Sequence, residues 1–366
     1  MLNSQHWKKR NACARHFSGR FKSSVSTCEK NRSAMTSRVL LWIALLVVAG
    51  CRTTQPVTVT LPTSLPEPPA ILLPWHDGWL LGGGKVLWWL RDERPIHRWT
   101  LPAAVQCGVV DSEDVLWLGT EAGLVRLATP AAWPERVPLP ALDRFPSVTA
   151  LALDLQQRLW LGTEHHGVFQ RTDTSWRPVL TAAPIYALAT TADSTVWVGT
   201  GVGLFRQTPK GWLVYSEEGT ANHGLPDNIV ERLIALPHGL WIVMSEAVSF
   251  FPIGDADHPI EFAYLGHPGN RIHDVVDLPG AGYLLATDDG LVWLRALPHF
   301  ETSSGLRELR VMEYDLARLL SSETLDLPNA PITRLYRQGD QLYLATTSGL
   351  FRQRLSRLIP ALLAHY

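Results

Sequence analysis

Glu164-His165-His166 and Asp288-Asp289 are two places where titratable side chains crowd together in the sequence. Adjacent histidines beside a carboxylate could ligate a metal or shuttle protons near neutral pH. Paired aspartates could help to hold a hard cation. Neighbouring histidines in an extended turn point apart with no third ligand spaced to join them, and the aspartates would need help from other blades. The favoured readings are a solvated turn and an Asp-Asp-Gly turn. No nucleophile elbow, phosphate-binding loop or HExxH segment occurs. The sequence therefore leads us to expect no cofactor, no metal and, on balance, no catalysis.

Charge narrows the partners. Lys and Arg total 33 and Asp and Glu 34, a nearly neutral sum that hides two unlike parts. Residues 1–51 hold nine basic side chains and one acid, Glu29, which leaves 24 basic and 33 acidic residues in 52–366. A body this acidic argues against nucleic acid, whose phosphates need a basic surface. Of the four cysteines, Cys13, Cys28 and Cys51 fall in the N-terminal segment. Cys107 stands alone in the body and reads as a small buried hydrophobe.

Residues 39–50 form a 12-residue apolar run after Arg38. It is too short for a spanning helix, which needs about 20 residues, and it matches the apolar region of a secretory signal. Val48-Ala49-Gly50-Cys51 resembles the bacterial lipobox, which implies cleavage before Cys51 and lipidation of its thiol. Several acyl chains would anchor the protein stably where one would not. Residues 1–50 are thus expected to be a lipoprotein signal with an N-terminal extension, the true start being Met35. Arg52, by the sorting pattern of enterobacterial lipoproteins, points to the outer membrane. Residues 51–69 read as the lipidated cysteine and a tether, within which 56–62 suits a strand because its residues 57–60 are all β-branched.

The elements that must carry any chemistry repeat. Trp117-Leu118-Gly119-Thr120 returns as Trp160-Leu161-Gly162-Thr163 and Trp197-Val198-Gly199-Thr200. Divergent copies centre on Leu80, Trp241, Leu284 and Tyr343. The seven anchors are spaced by 37, 43, 37, 44, 43 and 59 residues. A period near 40 filled with short strands predicts an all-β, seven-bladed β-propeller over 70–366, each blade a four-stranded antiparallel sheet. An apolar strand precedes each anchor, as in 148–153 and 185–189, and a glycine turn follows it, as in Gly203-Leu204-Phe205-Arg206. The anchor aromatic is expected to fill the wedge between blades, and the glycine two residues later to let the next turn approach. Trp99, Trp133, Trp176 and Trp212 are expected near the start of fourth strands. The long last spacing predicts an insertion near 298–328, a short helix or hairpin carrying Leu306, Leu309, Leu316, Leu319 and Leu320. The last repeat supplies only three strands. The fourth is expected from 56–62, antiparallel to 349–353, because an open ring would leave an unpaired edge.

Gly224-Leu225-Pro226-Asp227-Asn228-Ile229-Val230 with Leu240-Trp241-Ile242, Leu159-Trp160-Leu161-Gly162-Thr163, and Val196-Trp197-Val198-Gly199-Thr200 resemble the two-component regulator propeller repeat over about 75–354. The resemblance implies a propeller of the periplasmic sensor type. Nothing after the last repeat resembles that family's kinase or DNA-binding domains, so the resemblance is expected to supply the fold and not the signalling role.

In such a blade the turns between second and third strands share a face with the links between blades. The turns carry Glu121, Glu164, His165, His166, Glu246, Asp288 and Asp289. The links carry Tyr186, His223, Asp227, Arg271 and His273. This face is the expected binding surface for a protein, small-molecule or glycan partner, with the membrane held through the lipid anchor. The expected role is a non-catalytic binding, sensor or scaffold module. The alternative is a propeller enzyme resembling streptogramin lyase with its site at the channel mouth, although no residue set matches that family's.

Overall fold

The computed structural model describes residues 56–365 except 140–144, 174, 183, 219–223, 246–247, 254–259, 263–269, 296–301, 304–305, 308–316, 321–324, 326 and 329. Seven four-stranded antiparallel sheets form seven blades, in agreement with the repeat count. Blades 1 to 5 take consecutive strands, from Ile71–Trp75 through Ile260–Phe262. Blade 6 runs Ile272–Leu278, Gly282–Thr287, Gly290–Leu294 and then Ala317–Leu319. A two-residue hairpin, Thr302–Ser303 against Leu306–Arg307, lies between its last two strands. Leu309 and Leu316 of the expected insertion lie outside the described residues.

Blade 7 takes its outer strand from the start of the body. Val57–Thr60 pairs antiparallel with Gly349–Arg354, Val57 opposite Arg352 and Thr60 opposite Gly349. Leu61 and Leu65 then donate backbone hydrogen bonds to Ser348 and Thr347. Val59, Leu61 and Leu65 are buried with Leu72, Leu81 and Trp88 of blade 1 and Tyr343 and Leu350 of blade 7. The edge that a seven-blade ring must close is thus both hydrogen-bonded and packed.

Seven apolar clusters sit at the seven blade interfaces. Trp160, Trp197 and Trp241 are among the largest fully buried side chains. In blades 2 to 4 the polar edge of the anchor indole is held as well as its faces. Trp117 Nε1 donates to Asp111 at 2.8 Å, Trp160 Nε1 to Asp154 at 2.9 Å, and Trp197 Nε1 to Thr191 Oγ1 at 3.0 Å, each six residues upstream. The buried Asp154 carboxylate also accepts the backbone N–H of Gln156 and Arg158 and the Arg158 side chain. Burial pushes its pKa up, but these bonds, led by that from Trp160, outweigh it and hold the group below its ordinary value.

The glycine of the repeat has a different job from the one expected. A Cβ on Gly162 would stand 2.5 Å from Ile185 Cγ2, and one on Gly199 2.9 Å from the Val230 carbonyl. The neighbour is the inner strand of the next blade and not the following turn. The turn is instead held by the threonine beside it, as Thr163 Oγ1 donates to Gly167 O and Thr200 Oγ1 to Gly203 O. Two further expectations change. Trp99 closes its fourth strand instead of starting it, and Trp133 is 85% exposed in the turn before Glu135–Val137. After the last strand the chain forms a helix, Leu355–His365, with Pro360 inside it. Leu355, Leu358 and Leu362 bury its inner face in the wedge between blades 6 and 7.

Candidate functional site

The first strand of each blade surrounds the central channel, and the channel opens into a funnel of about 810 Å³ on one face. Backbone hydrogen bonds fix what that face is made of. Glu121 N donates to Ala104 O, Glu164 N to Ser147 O, and Asp288 N to Arg271 O, so each second-to-third-strand turn is tied to the incoming link.

The funnel wall is built by one repeated irregularity. In blades 2 to 6 the inner strand slips register by one residue against its partner, at Val105/Cys107, Val148/Ala150, Ile185/Ala187, Val230/Arg232 and Ile272/Asp274. The extra residue is Gln106, Thr149, Tyr186, Glu231 or His273, and all five line the funnel. A β-bulge inserts an unpaired residue and re-aims its side chain. The same device, five times over, turns one side chain per blade into the channel.

The residue after the bulge divides the ring. It is Cys107, Ala150 and Ala187 in blades 2 to 4, but Arg232 and Asp274 in blades 5 and 6, and Arg334 at the matching register of blade 7. The small residues sit close under the neighbouring blade. Burial pushes the Cys107 thiol up to about 12, so it stays protonated. The charged residues are partly buried at the funnel. Asp274 accepts the N–H of Val275 at 3.0 Å and of Leu335 at 2.9 Å. Burial raises its pKa against the pull of Arg334 and those bonds. Arg334 donates through Nε to Ala70 O at 2.8 Å and through Nη1 to Thr333 O at 2.7 Å. Burial, with the Arg232 charge beside it, pushes the Arg334 guanidinium down to about 9. Arg232 is lowered by burial too, and it makes no hydrogen bond or ion pair among the described residues.

At the rim His273 Nε2 lies 2.5 Å from Asp288 Oδ1, and Asp288 Oδ2 receives Arg271 Nε at 3.3 Å. Burial lowers the His273 pKa, and the charges of Arg232 and Arg334 add to this against the pull of Asp288. The imidazole is thus biased towards its neutral form, a histidine–carboxylate pair facing an aqueous funnel.

The residues expected from sequence divide accordingly. Tyr186, Arg271, His273 and Asp288 line the funnel. Glu121, Glu164, His165, His166 and Asp289 are exposed on turns outside it. His165 stands 3.8 Å from Glu164 and joins no larger group. Asp227 accepts hydrogen bonds from Ser245 Oγ and Ile229 N and so shapes its own loop. His223 and Glu246 lie outside the described residues. Among the described residues no three His, Cys, Asp or Glu side chains form a metal-type group. Sequence reasoning missed Gln106, Thr149, Glu231, Arg232 and Arg334. A column-by-column comparison of inner strands would have exposed the last two, because charges there replace alanine and cysteine.

Fold and funnel define a seven-bladed β-propeller with a polar, arginine-bearing channel mouth. No family model and no curated protein matches the chain. Among solved structures it resembles the extracellular domain of the hybrid two-component system BT4673 of B. thetaiotaomicron, at 18% identity and a TM-score of 0.58, over 81% of this chain and 39% of that one. It also resembles virginiamycin B lyase of Staphylococcus aureus, at 14% identity and a TM-score of 0.56, covering 81% and 97%. A third likeness is to YCF48 bound to D1 peptide, at 14% identity and a TM-score of 0.54, covering 82% and 94%. The chain spans about two fifths of the first of these. At such identities the likeness is one of fold.

Proposed function

We propose that the protein is an exported, lipid-anchored binding propeller, a sensor or scaffold that meets its partner at the funnel face. The observation that carries the reading is the funnel, a cavity walled by five bulged side chains with two arginines set below them. Preformed polar concavities of several hundred cubic ångströms are the usual form of a ligand site. The extracellular two-component domain and the peptide-bound propeller among the fold neighbours are compatible with binding. Support for the anchor comes from the lipobox-like segment ending at Cys51. No helix among the described residues is long and apolar enough to cross a membrane. Localisation at the outer membrane rests on Arg52.

Two experiments test this. Cys51→Ser should release the protein from membranes or leave it unprocessed. Affinity capture of the intact protein from membranes should retain a partner that a Tyr186→Ala, Arg271→Ala variant loses. Equal capture by both forms would remove the funnel face from the reading.

A second reading follows from the His273–Asp288 pair. A neutral imidazole held by a carboxylate can accept a proton, and virginiamycin B lyase is a fold neighbour. Under this reading the chain is a lyase-like propeller enzyme. Loss of a captured small molecule's chemical conversion on His273→Ala, with its binding kept, would favour it over binding alone.

A further inference from the structure

We infer that the funnel takes an organic carboxylate, bound by Arg232 and Arg334. The inference rests on the binding-module reading and specifies its ligand. Blades 5 and 7 each place an arginine at a position where blades 3 and 4 have alanine, and the two side chains line one cavity. Removing two like charges from bulk water is costly unless something compensates them. Compensation within the protein is incomplete. Arg334 spends Nε and Nη1 on backbone carbonyls of Ala70 and Thr333, which are neutral. Asp274, between them in the ring, has each carboxylate oxygen engaged by a backbone N–H. Among the described residues no carboxylate makes an ion pair with either arginine. Arg271, the remaining funnel arginine, is taken by Asp288. Donors of Arg232 are therefore free to meet a ligand, and a planar anion matches their fork.

Charge selects a monoanion. Arg232, Arg271 and Arg334 line the funnel with two carboxylates, Glu231 and Asp288, which leaves one positive charge in excess with His273 neutral. A dianion such as phosphate would overcharge it. The wall above the arginines also suits an organic body. Tyr186 and Ile229 are exposed there, and Gln106 and Thr149 add polar groups. A carboxylate can sit at the arginines while its uncharged part rests on this wall.

The test is calorimetric titration of the full chain, purified in detergent, with sodium glucuronate, with inorganic phosphate, and with sodium chloride at matched ionic strength. Glucuronate is expected to bind saturably, on the order of millimolar, and more tightly than phosphate. Arg232→Gln should weaken glucuronate binding about ten-fold or more, the loss of a charge-assisted pair, while its Tm without ligand stays unchanged. Arg98→Gln, on the exposed outer strand of blade 1, should bind as the parent does. No saturable glucuronate binding, binding unchanged by Arg232→Gln, or phosphate bound as tightly as glucuronate would each overturn the carboxylate assignment. None of these results decides the binding-module reading, which stands or falls with partner capture through Tyr186 and Arg271.

Discussion

Blades 2 to 4 and blades 5 to 7 share one topology and divide its duties. In blades 2 to 4 the repeat keeps its tryptophan, glycine and threonine, and the inner column is Cys107, Ala150 and Ala187. Small residues there let the next blade close in on Gly119, Gly162 and Gly199. In blades 5 to 7 those glycines are replaced by Val243, Ala286 and Ala345, and the inner column is Arg232, Asp274 and Arg334. The glycine and the charge never occur in the same blade. Where the motif is regular, the chain is building a wall; where it departs, it is placing chemistry.

Five substitutions would break or sharpen this contrast. Gly162→Val should be the most damaging. It drives a side chain into Ile185 of the next blade, and a loss of about 3 kcal/mol or more in chemical denaturation is expected. The matching position of blade 5 already holds a buried valine, so Val243→Ala should cost only the volume removed. If the two cost the same, the glycine is not what spaces the regular blades. Asp154→Ala comes next. It strips acceptors from Trp160 Nε1 and two backbone N–H groups, at a cost of about 2–3 kcal/mol. The pH dependence has a definite sign. The folded pKa of Asp154 lies below its ordinary value, so its contribution is full above the ordinary carboxylate range and is lost as pH falls through the folded value. The parent should lose more stability on acidification than Asp154→Ala does; parallel curves would refute this.

Arg334→Ala should cost about 1–2 kcal/mol, because the Ala70 carbonyl across the closing interface loses its donor. Arg232→Ala should shift Tm least, since that guanidinium makes no hydrogen bond among the described residues. A thermal melt showing Arg232→Ala as harmful as Arg334→Ala would mean that the blade 5 arginine is structural and that the division between wall and chemistry fails there.

The propeller is readable in the sequence because its repeat is imposed by packing. A tryptophan that fills a wedge and a glycine that admits the next blade recur wherever the same contact recurs. Trp133 shows the limit, since the same residue type outside that contact points to solvent. The site is less readable because it depends on register. Tyr186 and His273 were found by their place in the links, but nothing in Val-Thr-Ala or Val-Glu-Arg announces that the middle residue is bulged. A bulge is a property of two paired strands and leaves no periodicity in one. The exposed turns misled for the related reason that a cluster such as Glu164-His165-His166 is conspicuous in one dimension, while a funnel assembles from residues about forty positions apart.

The strand that closes the ring also sets an order of events. Val57–Thr60 leaves the ribosome first among the strands, and its partner Gly349–Arg354 leaves last. Every other strand pair in blades 1 to 5 can form from local contacts as the chain grows, but this one spans nearly the whole body. Long-range pairings of this kind are slow to form, so until the chain is complete the nascent ring holds two bare edges. A body that cannot close before its last strand arrives stays threadable until then.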